Sequence, residues 1–351
     1  MSPPADEPIL RLRGVSRRFG QTPDLAGRVA NRMARLLGAA PRPATVQALD
    51  RVDLDIHEGE TLGLVGESGC GKSTLGRIVA GILEPSEGEI AYRGTPLASL
   101  DAARQREARL AVQMIFQDPM ASLNPRMRAG EAVAEGPRVH RIVPPGQLDA
   151  WVDSILARVG LDASVKNRLP HQFSGGQRQR LGIARALAVR PALIVCDEAV
   201  AALDVSVQAQ VLNLFMELRR DFALAYLFIS HDLGVVRHVA DRVAVMYLGR
   251  IVECADAGRL FESPNHPYTA ALLEETPRPG RRRTFVPIRG EIPSPLAPPG
   301  GCHFHPRCPR ALARCSVDVP ALREIAPGHV SACHLNDVQD PPAPGRLQPA
   351  D

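Results

Sequence analysis

The chain has only two lysines, Lys72 and Lys166, and the first lies in the run Gly66-Glu67-Ser68-Gly69-Cys70-Gly71-Lys72-Ser73-Thr74. This run fits the phosphate-loop spacing G-x-x-x-x-G-K-S/T, between a short apolar stretch (Thr61-Leu-Gly-Leu-Val65) and a segment of helical spacing over Leu75–Leu83. Glycines let successive backbone N–H groups turn inward on phosphate oxygens, and a helix N-terminus adds favourable partial charge. Lys72 supplies a point charge for the β- and γ-phosphates, and the Ser73 hydroxyl is suited to ligate Mg²⁺. A chance glycine turn would rarely place one of two lysines at the required position. The expected ligand is a nucleoside triphosphate.

Leu193-Ile-Val-Cys-Asp197-Glu198 is an apolar run ending in two acids. Asp197 is placed to hold Mg²⁺ through water, and Glu198 to polarise an attacking water. An apolar strand capped by two acids is common, so this feature alone decides nothing. Further along the chain stand Gln117 in Met-Ile-Phe-Gln-Asp-Pro, the run Phe173-Ser174-Gly175-Gly176-Gln177, Ala201-Ala-Leu-Asp204, and His231 in Phe-Ile-Ser-His-Asp.

In this order the set resembles the motifs of ABC-type ATPases, with Phe173 where leucine is usual. The resemblance implies an α/β phosphate-loop fold with an antiparallel β subdomain and an inserted helical subdomain. It implies ATP and Mg²⁺ as cofactors, with Ser73, Gln117 and Asp197 around the cation. Glu198, His231 and Gln117 are the implied catalytic residues. Two cassettes would close head to tail around two ATP molecules. Residues 66–74, Gln117, Asp197, Glu198 and His231 would serve one nucleotide, while Ser174, Gly175, Gly176 and Gln177 would reach the γ-phosphate on the partner. Ala199 stands where the family usually has proline, and Ala201 where it usually has serine, which loses a hydroxyl at the dimer seam. Neither change removes a phosphate or metal ligand. Phe19 is the candidate for stacking on adenine, although the 20–45 insertion separates it from the following strand.

Several stretches are similar to the ATPase subunits of oligopeptide and dipeptide importers: Gly-Glu-Ser-Gly-Cys-Gly-Lys-Ser-Thr, Phe-Gln-Asp-Pro-Met-Ala-Ser-Leu-Asn-Pro, Leu203-Asp-Val-Ser-Val-Gln-Ala-Gln210, His266-Pro-Tyr-Thr269 and Pro293-Ser-Pro-Leu-Ala-Pro-Pro299. That resemblance implies a peripheral protein on the cytoplasmic face of the inner membrane. Its partners would be a second ATPase subunit (a different chain), two permeases and an extracytoplasmic solute-binding protein. Peptide is the implied cargo, with nickel or another small solute as the alternative. A soluble ABC protein acting on DNA or ribosomes is the competing class; such proteins carry two cassettes, a long coiled coil or zinc-bearing insertions, and none of these is visible in this chain.

Four of the seven cysteines, Cys302, Cys308, Cys315 and Cys333, fall within 32 residues. In a cytoplasmic chain such crowding suggests metal before disulfide. Four thiolates suit a 4Fe–4S cluster or a tetrahedral zinc, and the spacing lacks the C-x2-C of zinc ribbons, which places iron–sulfur first. His303, His305 and His334 are alternative ligands. The other reading is four free thiols packing a small extension.

The elements that must position these residues follow from periodicity. Residues 8–13 and 46–56 alternate as half-buried strands do, and Val112–Phe116, Ala192–Cys196, Leu224–Ile229 and Val243–Tyr247 read as further strands. Helical spacing covers 177–189 and 206–220. Strand and helix thus alternate as in an α/β domain with a largely parallel sheet. The expected organisation is a cassette over 8–265 with a helical subdomain at about 122–180, an extension over 266–337 holding the cysteines, and a disordered tail over 338–351. Seven prolines between 277 and 300 suggest a linker or extended wrap. Within 20–45, Val29, Met33, Leu36 and Leu37 could form an apolar helical face among arginines.

The chain is 351 residues long with a formal net charge of +4, nearly all of its positive charge being arginine. A nucleic-acid partner is not expected, since a dedicated binder shows a stronger or more clustered basic excess. The start, Met-Ser-Pro-Pro-Ala-Asp-Glu-Pro, has neither a basic n-region nor an apolar h-region. No apolar run approaches the ~18 residues that span a bilayer.

Overall fold

The computed structural model describes residues 7–20, 45–274 and 290–337. The expected apolar face at Val29–Leu37, the first part of the proline-rich stretch and the 338–351 tail lie outside the described residues.

Strand β1 (Leu10–Gly20) pairs antiparallel with β2 (Thr45–Ile56), from Leu10 opposite Ile56 to Gly20 opposite Thr45. The register shifts between Leu12 and Val15, where Gly14 sits at φ +59° and donates its N–H to Asp53 Oδ1 at 2.7 Å. A bulge of this kind breaks strict alternation, which is why periodicity marks only the first part of β1. After it come β3 (Thr61–Val65) and helix α1 (Lys72–Val79). Strand β4 (Glu87–Tyr92) returns to pair with β1, and β5 (Thr95–Pro96) completes a four-stranded sheet in the order β2-β1-β4-β5.

Helix α2 (Ala102–Ala111) is capped by Asp101, whose carboxylate accepts the Arg104 N–H, and runs straight into β6 (Val112–Ile115). The next span is helical: α3 (Pro119–Ser122), α4 (Ala129–His140), α5 (Leu148–Arg158) and α6 (Gly175–Leu187). The chain then alternates β7 (Leu193–Asp197), α7 (Val205–Phe222), β8 (Ala225–Ile229), α8 (Leu233–Val239), β9 (Arg242–Tyr247) and β10 (Arg250–Asp256). Helices α9 (Ala257–Glu262) and α10 (Pro267–Glu274) precede the last strands, β11 (Arg323–Ala326) and β12 (His329–Ser331).

Among the described residues the second sheet has eight strands, in the order β11-β12-β10-β9-β3-β8-β7-β6. Its β9-β3-β8-β7-β6 portion is parallel. Each central strand splits its side chains between two apolar cores. Leu193, Val195, Leu227 and Ile229 join the core beneath the antiparallel sheet, while Ile194, Cys196, Tyr226 and Phe228 join the core under the helices. Both faces being covered, these strands read as unbroken apolar runs. The expected phosphate-loop α/β architecture, with its antiparallel β subdomain and inserted helices, is the one observed.

The extension joins the main sheet, with β12 pairing antiparallel to β10 at Glu253–Ser331 and Cys254–Val330. Glu253 is fully buried there. Its carboxylate accepts the N–H groups of Asn265 and His266 at 2.8 and 2.9 Å and lies 2.7 Å from His329 Nε2. Neither β4, β10 nor the β11–β12 hairpin is marked by the sequence pattern.

Candidate active site

Five parallel strands end at one edge of the sheet, and in open α/β sheets ligands bind outside such carboxyl ends. From β3 the chain enters the glycine-rich loop. Gly66, Gly69 and Gly71 all have positive φ, at 153°, 78° and 112°. A Cβ at Gly71 would stand 2.5 Å from the Ala48 carbonyl oxygen, and one at Gly66 would collide with the Met246 carbonyl. Glycine is therefore required at both for conformation and for space. Ser68 and Gly69 are exposed at the tip, Thr74 is half-buried in the first turn of α1, and burial raises the Cys70 thiol pKa. The Lys72 ammonium is buried and donates to the carbonyls of Gly66 at 2.8 Å and Glu67 at 3.0 Å. Reaching a phosphate would exchange these bonds for charge-assisted ones.

Ser73 Oγ donates to Asp197 Oδ1 at 2.8 Å, joining the start of α1 to the end of β7. Burial pushes the Asp197 carboxyl above its ordinary range, against the opposing effects of the Ser73 bond and Arg77. A hydroxyl beside a desolvated carboxylate is a donor set suited to Mg²⁺, a hard cation that takes oxygen ligands.

Glu198 follows with φ +48°, a left-handed conformation that is costly for a residue with a side chain. Its N–H donates to the Ile229 carbonyl at 3.0 Å, which holds that turn. Gln117 Nε2 donates to Glu198 Oε2 at 2.8 Å, and His231 Nδ1 lies 3.2 Å from Glu198 Oε1. Because Gln117 donates through its nitrogen, its amide oxygen remains available for a cation. The structure thus brings Gln117, Glu198 and His231 together, and separately Ser73 and Asp197.

Ser174 caps α6: its Oγ accepts the Gln177 N–H at 3.3 Å, and Gln177 Oε1 accepts the Ser174 N–H at 3.1 Å. This reciprocal capping box aims the helix N-terminus and its free N–H groups outward. Phe173 is buried just before it. A Cβ at Gly176 would stand 2.5 Å from Val207 Cγ1 on α7, so the glycine permits close packing there. Ala199 and Val200 are buried while Ala201 and Ala202 are exposed. Phe19 is partly exposed, with the Arg17 guanidinium 4.8 Å from its ring centroid.

The four clustered cysteines are free thiols. Among the described residues, no group of three or more His, Cys, Asp or Glu side chains stands together as a metal site. The expected iron–sulfur or zinc ligation therefore has no formed ligand set to support it. Burial raises the pKa values of Cys302, Cys308 and Cys333, Cys308 to about 11, with backbone N–H groups opposing it and the other thiols adding to it. His303 Nδ1 lies 3.2 Å from the Leu248 carbonyl, His305 Nδ1 2.9 Å from the Cys302 carbonyl, and His334 Nε2 3.0 Å from the Asp318 carbonyl.

Two residues at the loop were not singled out by the sequence pattern. The Tyr268 hydroxyl accepts the Glu67 N–H at 2.8 Å, and Arg307 forks onto both Glu67 carboxylate oxygens at 2.7 and 2.8 Å. Tyr268 lies in the quoted His-Pro-Tyr-Thr run, whereas Arg307 carries no local signal, being separated from Glu67 by 240 residues.

Comparison with known proteins finds two families. The one described as ABC transporter matches residues 49–201, and the one described as oligopeptide/dipeptide transporter, C-terminal region, matches residues 252–315. The oligopeptide transport ATP-binding protein AppF of Bacillus subtilis is 50% identical over 295 residues, covering 83% of this chain and 90% of AppF. Among solved structures, cbiO1 of Clostridium perfringens, part of the ABC transporter complex cbiONQ, aligns with a TM-score of 0.59 at 25% identity, covering 74% of this chain and 92% of that one. The ATP-binding cassette MJ0796, in a dimeric post-hydrolysis state bound to ADP and Pi, aligns with a TM-score of 0.57 at 25% identity, covering 71% of this chain and 98% of that one. No helix among the described residues is long and apolar enough to cross a membrane.

Proposed function

The chain belongs to the ATP-binding subunits of oligopeptide and dipeptide ABC transporters, and from that premise we propose how its residues hydrolyse ATP and what the hydrolysis drives. It is an ATPase, and its cofactors are ATP and Mg²⁺. The loop Gly66–Thr74 takes the phosphates, with Lys72 on the β- and γ-oxygens. Ser73, Asp197 and the Gln117 amide oxygen would hold Mg²⁺, which would supply charge neutralisation on the phosphates. Glu198 accepts the proton of the attacking water, and His231 steadies both that carboxylate and the γ-phosphate. Phe19 stacks on the adenine.

The observation that carries this reading is the Glu198 carboxylate held between Gln117 and His231, next to the Ser73–Asp197 pair. General-base catalysis needs a carboxylate fixed within reach of one water, and two side chains, Gln117 after β6 and His231 after β8, fix this one. Ser174 and Gly175 are exposed, and Gly176 and Gln177 half-buried, at a capped helix start, which suits donation to a nucleotide held by another cassette. ATP would join the two cassettes and hydrolysis would part them. A groove lined by Ile82, Arg106, Gln113, Phe116, Val139 and His140 adjoins Gln117 and is the face through which a permease would sense that change.

Peptide is the cargo that fits this family, the chain acting beneath two permeases with a second, different ATPase subunit and a solute-binding protein. It would lie on the cytoplasmic face of the inner membrane. For the cysteines of the extension, iron–sulfur or zinc is proposed on donor type alone, four thiols within 32 residues, with the Leu312 N–H donating to Cys315 Sγ at 3.4 Å.

A mild-detergent pull-down of the tagged protein from its own membranes tests the assignment. Recovery of two multi-span permeases and a second cassette is expected, and the accompanying binding protein would identify the cargo. Recovery of only ribosomal or DNA-associated proteins would overturn the transport role.

A further inference from the structure

The contacts of Glu67 join the phosphate loop to the C-terminal extension. This residue follows Gly66, and all its polar groups are engaged. Its carbonyl accepts from Lys72 Nζ at 3.0 Å, its N–H donates to Tyr268 Oη at 2.8 Å, and its carboxylate takes both arms of the Arg307 fork. Tyr268 comes from α10 and Arg307 from the segment between Cys302 and Cys308, so both lie beyond the last helix of the cassette proper.

The support beneath these two residues is aromatic and dry. Phe304 packs against Tyr247 and Tyr268 with ring centroids 5.3 Å away in each case, and the two tyrosines stand 4.7 Å apart. Phe304 and Tyr268 are fully buried. Arg307 also donates to the Tyr247 hydroxyl at 3.3 Å, and its side chain is only 5% exposed against 17% for Glu67. His266, whose Nδ1 accepts the Tyr268 N–H at 3.1 Å, is anchored in turn by Glu253, the carboxylate that also holds β12.

A bidentate, desolvated pair on the second residue of the loop has two consequences for a phosphate ligand. It holds the loop in one shape before the ligand arrives, which lowers the ordering cost of binding. It also neutralises a carboxylate that would otherwise oppose the triphosphate. We propose that Arg307 is a positioning residue for the phosphate loop: through Glu67, the extension sets the affinity of the site for nucleotide. This rests on reading residues 66–74 as the phosphate loop.

The test uses the full chain and the fluorescent analogue N-methylanthraniloyl-ATP with Mg²⁺, comparing Arg307→Gln, Glu67→Gln, the double variant and Lys72→Ala. Arg307→Gln leaves the Glu67 carboxylate unpaired beside the phosphates and is expected to weaken binding by about fivefold to tenfold. Removing that carboxylate as well should bring the double variant back to within about threefold of the wild type. A purely structural role would lower the melting temperature of both and leave the affinities alone. Arg307→Lys, which keeps the charge without the fork, covers the case in which the glutamine variant does not fold. It is expected to bind about twofold to threefold more weakly.

Wild-type affinity in Arg307→Gln or Arg307→Lys, with Lys72→Ala abolishing binding, overturns the proposal and spares the loop assignment. So does a double variant no better than Arg307→Gln. Undiminished binding by Lys72→Ala overturns the loop assignment, and the proposal with it.

Discussion

Gln117 Nε2 donates to Glu198 Oε2 at 2.8 Å, and the sheet places them there by register. In the parallel pair β6–β7, Ile115 stands opposite Cys196. Continuing that pairing two residues past the strand ends sets Gln117 opposite Glu198. The hydrogen bond is thus a continuation of the ladder by side chains.

Glu198→Gln should keep nucleotide binding and lose turnover. The amide preserves size and still engages Gln117 and His231, but it cannot accept a proton at neutral pH. Loss of a positioned general base is expected to slow hydrolysis by about a hundredfold or more, read from phosphate release at saturating MgATP. Turnover within a few-fold of the wild type would remove Glu198 from the role of base.

Gly71→Ala is expected to abolish nucleotide binding and to destabilise the fold. The residue sits at φ +112°, and its new Cβ would stand 2.5 Å from the Ala48 carbonyl. Positive φ alone costs about 1 kcal/mol or more, and the collision adds to it. Thermal melting and nucleotide titration of the same preparation separate the two losses. An unshifted melting temperature would show that the loop is not held as described.

Acid should weaken the fold through His266. Burial lowers its pKa to about 4, and the ring is held neutral, accepting from Tyr268 N–H and bonding the Ala332 backbone. A folded-state value below the unfolded one means that the unfolded chain binds more protons between the two, so stability falls as pH drops from about 6.5 toward 4. The full shift corresponds to about 3 kcal/mol, present at neutral pH and lost by pH 4. Urea unfolding midpoints at pH 7 and pH 4.5 should show the decline, and His266→Gln should flatten it. A His266→Gln profile parallel to the wild type would assign the acid sensitivity elsewhere.

The cysteine proposal is open to direct reading. Protein purified without oxygen should show iron and sulfide by chemical analysis with a broad absorbance near 400 nm, or zinc without colour, and Cys308→Ser should lose either. Metal-free protein with four titratable thiols in the extension would leave packing as their only role.

Removing Phe304 should free the extension. The ring is 1% exposed and contacts Tyr247, Tyr268 and His266. Phe304→Ala is expected to cost about 3–5 kcal/mol, seen as an earlier melting transition and faster proteolysis after residue 290. Unchanged proteolysis would mean that the extension is held chiefly by β12.

The sequence by itself determined the chemistry of this protein wherever the chemistry is local. The glycines, Lys72 and Ser73 of the loop act through backbone dihedrals and a helix start within nine consecutive positions, so their order spells out the site. Asp197, Glu198 and His231 are legible because each ends an apolar run, and a run long enough to be a buried strand puts its last residues at one sheet edge. Strands covered on both faces were equally legible from unbroken apolarity. Tertiary structure alone decided what depends on pairing across distance. The bulge at Gly14 carries β1 past the point where alternation stops, and β12 finds β10 through hydrogen bonds that any sequence can make. Arg307 meets Glu67 across 240 residues, a contact that leaves no period and no local composition to read. Backbone pairing and a single ion pair are set by where the rest of the chain has already placed their partners, which only the packed fold specifies.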